Sequence, residues 1–197
     1  MNERIIPLFP QMMYVDVLEA DLSPLNSIKS YSFERTNTSG SMVTKDFYIL
    51  DKFPSIRIEI LKSVDKFVKE VFHSDAQFKM TTSWATKCGK GQGSDFHNHK
   101  NCMYSAVLYL EDVKSGGELV ISSEGLSSSS FMFKQSDNPT AFNGDAFFIQ
   151  PEKNTLVLFP SHLLHKVNPY TGYGYRYSIA MNFIPVARMG EKDSEIR

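Results

Sequence analysis

The sequence predicts a mainly β protein, a cupin-like double-sheet jelly roll with one long supporting α-helix, and three observations lead there. Past Phe72 the chain breaks into short runs rich in aromatic and β-branched residues, divided by Gly, Ser, Asn and Pro clusters, the pattern of antiparallel strands and their turns. Before that point, residues 55–72 repeat their apolar side chains at spacings of three and four, the period of a helix face. Two histidines one residue apart, His97 and His99, are followed far down the chain by His165 and then by Arg176-Tyr177-Ser178. That order requires strands distant in sequence to meet around one interior.

Taken in order, Leu8-Phe9-Pro10 leads into Met12-Met13-Tyr14-Val15, and Pro10 restricts this stretch to a sheet edge or a lead-in. Residues 34–41 are polar turn formers without apolar periodicity and read as a loop. In the helix, Ile60/Leu61, Val64, Phe67/Val68 and Val71/Phe72 lie opposite Lys62, Asp65, Lys66 and Lys69 over about five turns. Ser55 is expected to cap its start, after Pro54. Strands are expected at 77–88, 101–111, 118–122, 131–134, 146–150, 155–159, 165–167 and 175–186. About eight antiparallel strands suit two sheets enclosing a site. The Ser-rich stretch at 122–130 reads as an inter-strand loop, so residues 1–187 are expected to form one domain. The charged residues 188–197 would then be a frayed tail.

The chain of 197 residues, 42% hydrophobic, is long enough for one sizeable core. A formal charge of -1 and a pI near 6.5 give no broad attraction to nucleic acid or anionic membrane. Cys88 and Cys102 form no spaced framework and read as reduced thiols. There is no long apolar segment at the start and no membrane-length apolar run, so a soluble cytoplasmic protein is expected, in the host cytoplasm if phage-encoded. The sequence gives no oligomeric state.

The residues that carry chemistry follow strand geometry. Positions i and i+2 of a strand point to the same face about 6.5–7 Å apart, so His97 and His99 can converge on one metal ion. His165 is placed to supply the third ligand, with His162 the alternative if the backbone turns differently. Three protein ligands leave positions open for a substrate or O₂. Asp95, two residues before His97, is the alternative to His99 as second ligand. In 175–183 one face carries Arg176, Ser178, Ala180 and Asn182, and the other carries Tyr175, Tyr177, Ile179, Met181 and Phe183. A guanidinium fork binds a carboxylate bidentately, and Tyr109, alternating with Ser105 and Val107, can donate its phenol to the same group. Together these features indicate an Fe(II) oxygenase that uses 2-oxoglutarate. His73 reads as structural, Trp84 is expected to pack at the barrel base rather than stack on substrate, and both cysteines read as bystanders.

A resemblance spans most of the chain, from about Leu8 to Val186. Ser83-Trp84-Ala85-Thr86-Lys87, Phe96-His97-Asn98-His99, Ser105-Ala106-Val107-Leu108-Tyr109-Leu110, Gly116-Gly117-Glu118-Leu119, Leu158-Phe159-Pro160-Ser161, His165-Lys166-Val167 and Arg176-Tyr177-Ser178-Ile179-Ala180-Met181-Asn182-Phe183 are together similar to one family. It is the 2-oxoglutarate/Fe(II) oxygenases of phage and bacterial genomes, within the prolyl-hydroxylase-like superfamily. The resemblance implies a double-stranded β-helix with Fe(II) held by His97, His99 and His165, and 2-oxoglutarate held by Arg176, Ser178 and Tyr109. It further implies an O₂-dependent hydroxylation that releases succinate and CO₂, with no protein acid or base beyond the metal ligands. The wider superfamily has a carboxylate as second ligand, so His99 is a departure that leaves iron its full charge and opens the site to zinc or copper. The substrate, a small molecule or a protein side chain, is expected to meet loops at 34–45, 89–95, 123–139 and 168–174. One mobile loop, 122–131 or 171–174, is expected to close over it. The alternatives are a non-catalytic jelly-roll binding or structural protein, and a three-histidine cupin dioxygenase that does not use 2-oxoglutarate. The latter would leave Arg176 and Ser178 without a role.

Overall fold

The computed structural model describes residues 10–124, 140, 144–186 and 192–195. The strand expected at 131–134, most of the Ser-rich stretch and most of the C-terminal tail lie outside them. The described residues form strands β1 (Tyr14–Val17), β2 (Phe33–Arg35), β3 (Met42–Thr44), β4 (Phe78–Gly89), β5 (Ser94–His97), β6 (Tyr104–Tyr109), β7 (Leu119–Ser122), β8 (Ala146–Ile149), β9 (Thr155–Pro160), β10 (His165–Val167) and β11 (Tyr175–Pro185). Seven of them build a large sheet in the order β1-β9-β6-β11-β4-β3-β2, and four build a small one in the order β5-β10-β7-β8. Neighbours within both sheets run antiparallel.

Alternation along the strands sets the two faces of the large sheet. Tyr104, Ala106, Leu108, Tyr177, Ile179, Met181 and Phe183 join one apolar cluster on the outer face. The same cluster takes in Ile56, Ile60, Val64, Phe67 and Val68 from the helix α1 (Pro54–Phe72), along one stripe of its surface. Burial on this scale stabilises by about 1.5–3 kcal/mol per large side chain, which anchors the long strands β4 and β11. The opposite face of those strands carries Thr82, Trp84, Thr86, Cys88, Arg176, Ser178, Ala180 and Asn182, all lining an interior cavity. Across that cavity the small sheet contributes Ser94, His97, Leu119, His165 and Val167. A second apolar cluster, with Tyr109, Leu119, Ile121, Val157 and Phe159, fills the rest of the interior.

Three details differ from the sequence reading. The helix begins at Pro54 rather than at a Ser55 cap, and Phe53 precedes it without any side-chain capping bond. Proline suits the first helical position, where its missing N–H costs nothing. The polar stretch at 34–41 is a loop only in its middle, because Glu34 and Arg35 pair with Val43 and Met42 in a hairpin that extends the large sheet. Strands of three residues are too short to show a period. The expected strand at 101–111 is shorter, Tyr104–Tyr109, with Asn101 held at a positive φ of 59° before it.

Candidate active site

His97 ends β5 and His165 opens β10, and the two stand opposite each other in the antiparallel register. His99 lies past the end of β5 instead of on the same strand as His97. Its backbone N–H donates to the Ser161 carbonyl at 3.0 Å, and that bond returns the chain toward the site. The three ring centroids are 4.3 to 5.2 Å apart. Their ligating nitrogens all lie within 4.8 Å of one another, a triangle with room for one ion. Nδ1 of His97 is 2.8 Å from the Asp95 carbonyl oxygen, and Nδ1 of His165 is 2.9 Å from that of Leu163. A carbonyl only accepts, so both Nδ1 atoms donate and the lone pair of each ring sits on Nε2, free for a metal.

The alternative ligands stand elsewhere. The Asp95 carboxylate accepts from the Thr38 hydroxyl at 2.7 Å, from the Thr38 amide and from the Ser39 hydroxyl, tying the β2–β3 turn to β5. Those bonds, Ser39 foremost, hold its carboxyl below the usual range. His162 is exposed and outside the histidine cluster, and His73 forms the left-handed end of α1.

Burial lowers the His99 imidazole to about 4 and the His165 imidazole to about 3, with His97 adding to both effects. The fold therefore holds these rings neutral, whereas in the unfolded chain they take up protons near 6.5. The unfolded state then binds more protons, so acid favours unfolding, by up to about 1.4 kcal/mol per pH unit for each ring. The thermal midpoint of the metal-free protein is expected to be level above about pH 6.5 and to fall steadily from there toward pH 4.5. A midpoint unchanged between pH 7 and pH 5 would contradict this.

Farther into the cavity, Arg176 is 2% exposed and Tyr109 1%. Among the described residues no carboxylate pairs with Arg176, and its Nε and the Tyr109 hydroxyl have no hydrogen-bond partner. A buried cation left in this state costs several kcal/mol unless a ligand completes it. Ser178 stands between Tyr109 on β6 and Thr86 on β4 in one cross-strand row, and its hydroxyl is 2.6 Å from that of Thr86. Gly117, at a φ of 72°, makes room for the arginine, since a Cβ there would meet Arg176 Cδ at 3.2 Å. Burial raises the Tyr109 phenol against the opposing pull of Arg176, so it remains a donor. The donor set thus fits a metal held by neutral imidazoles, and a buried guanidinium without a carboxylate partner, its Nε and the Tyr109 hydroxyl unspent, fits an anionic ligand beside it.

One expectation is refined and one changes. Cys88 stands outside the histidine cluster, but it faces Arg176 across the β4–β11 pair and lines the cavity, its thiol raised by burial and partly lowered again by the guanidinium. Trp84 does not pack at the barrel base but forms cavity wall, its ring 5.7 Å from His99 and 5.7 Å from Phe47. Both belong, with Thr82 and Thr86, to the inward face of β4, and their alternation was readable once β4 was known to neighbour β11. Of the expected mouth loops, 34–45 and 89–95 contribute Thr36, Asn37, Ser41, Ser94 and Asp95 to the cavity, whereas nothing from 168–174 lines it. Residues 125–139 lie outside the described residues.

Residues 82–182, just over half of the chain, match the model of a family described as "Putative 2OG-Fe(II) oxygenase". HygX from Streptomyces hygroscopicus, solved with nickel and 2-oxoglutarate bound, is 12% identical with a TM-score of 0.64, over 89% of this chain and 84% of that one. The viral collagen prolyl hydroxylase of Paramecium Bursaria Chlorella virus-1, a 2-oxoglutarate complex, is 15% identical with a TM-score of 0.57, over 89% and 96%. A Pseudomonas putida prolyl-4-hydroxylase is 14% identical with a TM-score of 0.56, over 88% and 92%. These likenesses establish the jelly-roll fold. No curated protein matches the chain.

Proposed function

The chain belongs to the 2OG-Fe(II) oxygenase family, and from that premise we propose that it is a dioxygenase hydroxylating a C–H bond with His97, His99 and His165 as its iron ligands. Arg176, with Tyr109 and Ser178 beside it, binds the far carboxylate of 2-oxoglutarate. The observation that carries this reading is a buried arginine without a carboxylate partner in the same cavity as three converging histidines. Iron and 2-oxoglutarate, when bound with O₂, supply oxidative decarboxylation to succinate and CO₂ coupled to oxidation of a second substrate. The chain's own residues bind, orient and exclude water. The Asp95 and Leu163 carbonyls fix the tautomers of two ligands, Thr86 orients the Ser178 hydroxyl, and Phe159, Leu119 and Val167 keep the interior dry.

We assign residues 1–187 to one domain and 188–197 to a tail, and we place the protein in the cytoplasm, where Fe(II) and the Cys88 thiol both stay reduced. Among the described residues no helix is long and apolar enough to cross a membrane. The second substrate is a small molecule or a protein side chain. Incubation with Fe(II), O₂ and 2-oxoglutarate is expected to release succinate slowly even without that substrate. Oxygen consumption without succinate would point to the three-histidine cupin alternative. The absence of both, with metal bound, would point to a binding protein.

A further inference from the structure

The cavity, about 560 Å³ in volume, is longer than its cosubstrate needs. Arg176 and Asn182 both line it and are six residues apart on β11, roughly 20 Å at the rise of a strand. A five-carbon dicarboxylate extends only roughly 6–7 Å by its bond lengths. Its place between Arg176 and the histidines leaves the Asn182 end to another molecule. That end has its own construction. Ser105, Asn182 and Thr82 form a row across β6, β11 and β4. The Ser105 hydroxyl donates to Asn182 Oδ1 at 2.8 Å and is 2.9 Å from the Ser161 hydroxyl, and Asn182 Nδ2 donates to the Thr82 hydroxyl at 3.2 Å. The Asn182 amide is thus fixed in orientation, with one lone pair on Oδ1 and one N–H on Nδ2 unspent. The next row inward holds Trp84, backed by Phe47 and adjacent to His99.

We propose that this end is the subsite for the second substrate, and that it selects a flat, uncharged group presenting an N–H beside a C=O, an amide or lactam edge. The proposal rests on the function argued above. An asparagine amide with one donor and one acceptor left pairs with such an edge in two hydrogen bonds, and the Trp84 indole supplies a face for the ring plane to lie against. Phe47, Thr82, Trp84, Ser105 and Asn182 carry no charge, so a cationic group among them would find no counter-ion and would face the positive charge of the neighbouring metal. Asp95, which also lines the cavity, is committed to Thr38 and Ser39.

The chain has a single tryptophan, so its emission reports this subsite directly. Protein loaded with nickel and 2-oxoglutarate is titrated with uracil, which has lactam edges, with 1,3-dimethyluracil, which has the same ring but no N–H, and with tetramethylammonium. Uracil is expected to produce a saturable change in emission. Loss of the N–H in dimethyluracil, or of the amide in Asn182→Leu, should weaken it by about tenfold or more, the worth of one to two neutral hydrogen bonds. Thr82→Val, which frees the Asn182 amide to rotate while keeping the side-chain shape, provides a second variant if Asn182→Leu fails to fold and should weaken uracil in the same direction. Equal binding of uracil and dimethyluracil, uracil binding unaffected by either variant, or saturable binding of tetramethylammonium alone would overturn the subsite. Nickel absorption in the same samples reports 2-oxoglutarate separately. Absence of a response there overturns the cosubstrate assignment and leaves the uracil result to judge the subsite by itself.

Discussion

Arg176→Ala will weaken 2-oxoglutarate binding by about 2–4 kcal/mol, roughly 30- to 900-fold, in anaerobic titrations with Fe(II) present. The guanidinium is almost fully buried and has no carboxylate partner among the described residues, so the carboxylate of the cosubstrate would be its counter-ion and neither would tolerate loss of the other. Arg176→Lys should recover only part of the affinity, because an ammonium cannot reproduce the bidentate fork. Melting curves without 2-oxoglutarate separate this role from a structural one. Removing an unpaired buried charge should leave the midpoint unchanged or raise it, whereas a structural arginine would lower it. Affinity unaffected by the alanine variant would remove Arg176 from the cosubstrate site.

His97→Ala will abolish turnover by lowering metal affinity about 100-fold or more, beyond the 10–100-fold expected for a group that only supports a ligand. The nitrogens of all three histidines share one small triangle, and two remaining rings cannot hold an ion against solvent with the same strength. His162→Ala is the matched control, since that ring is exposed and outside the cluster. Metal titration followed by absorption decides between them, and equal affinities for the two variants would overturn the ligand assignment.

Local patterns made much of this protein legible. The three-four spacing of Ile60, Val64, Phe67 and Val68 appears in the core-facing stripe of α1, and the alternation of Arg176, Ser178, Ala180 and Asn182 against Tyr177, Ile179 and Phe183 separates cavity from core. Period and alternation are properties of a single element, fixed by helix and strand geometry before anything packs. What the chain order left open was decided by pairings between distant segments. His99 reaches the cluster through its bond to Ser161, not by lying in a strand with His97, and Asp95 is occupied by Thr38 and Ser39, 57 and 56 residues away. Cys88, Trp84 and Thr86 belong to the cavity because β4 lies against β11, a pairing that joins residues about 90 positions apart. Such contacts depend on which strands become neighbours and in which register, and a one-residue slip would turn every one of these side chains to the opposite face. The sequence by itself determined the chemistry on offer and the face of each element that carries it. The tertiary structure alone decided which of those faces meet, because register is set by the packing of the whole sheet rather than by any one strand.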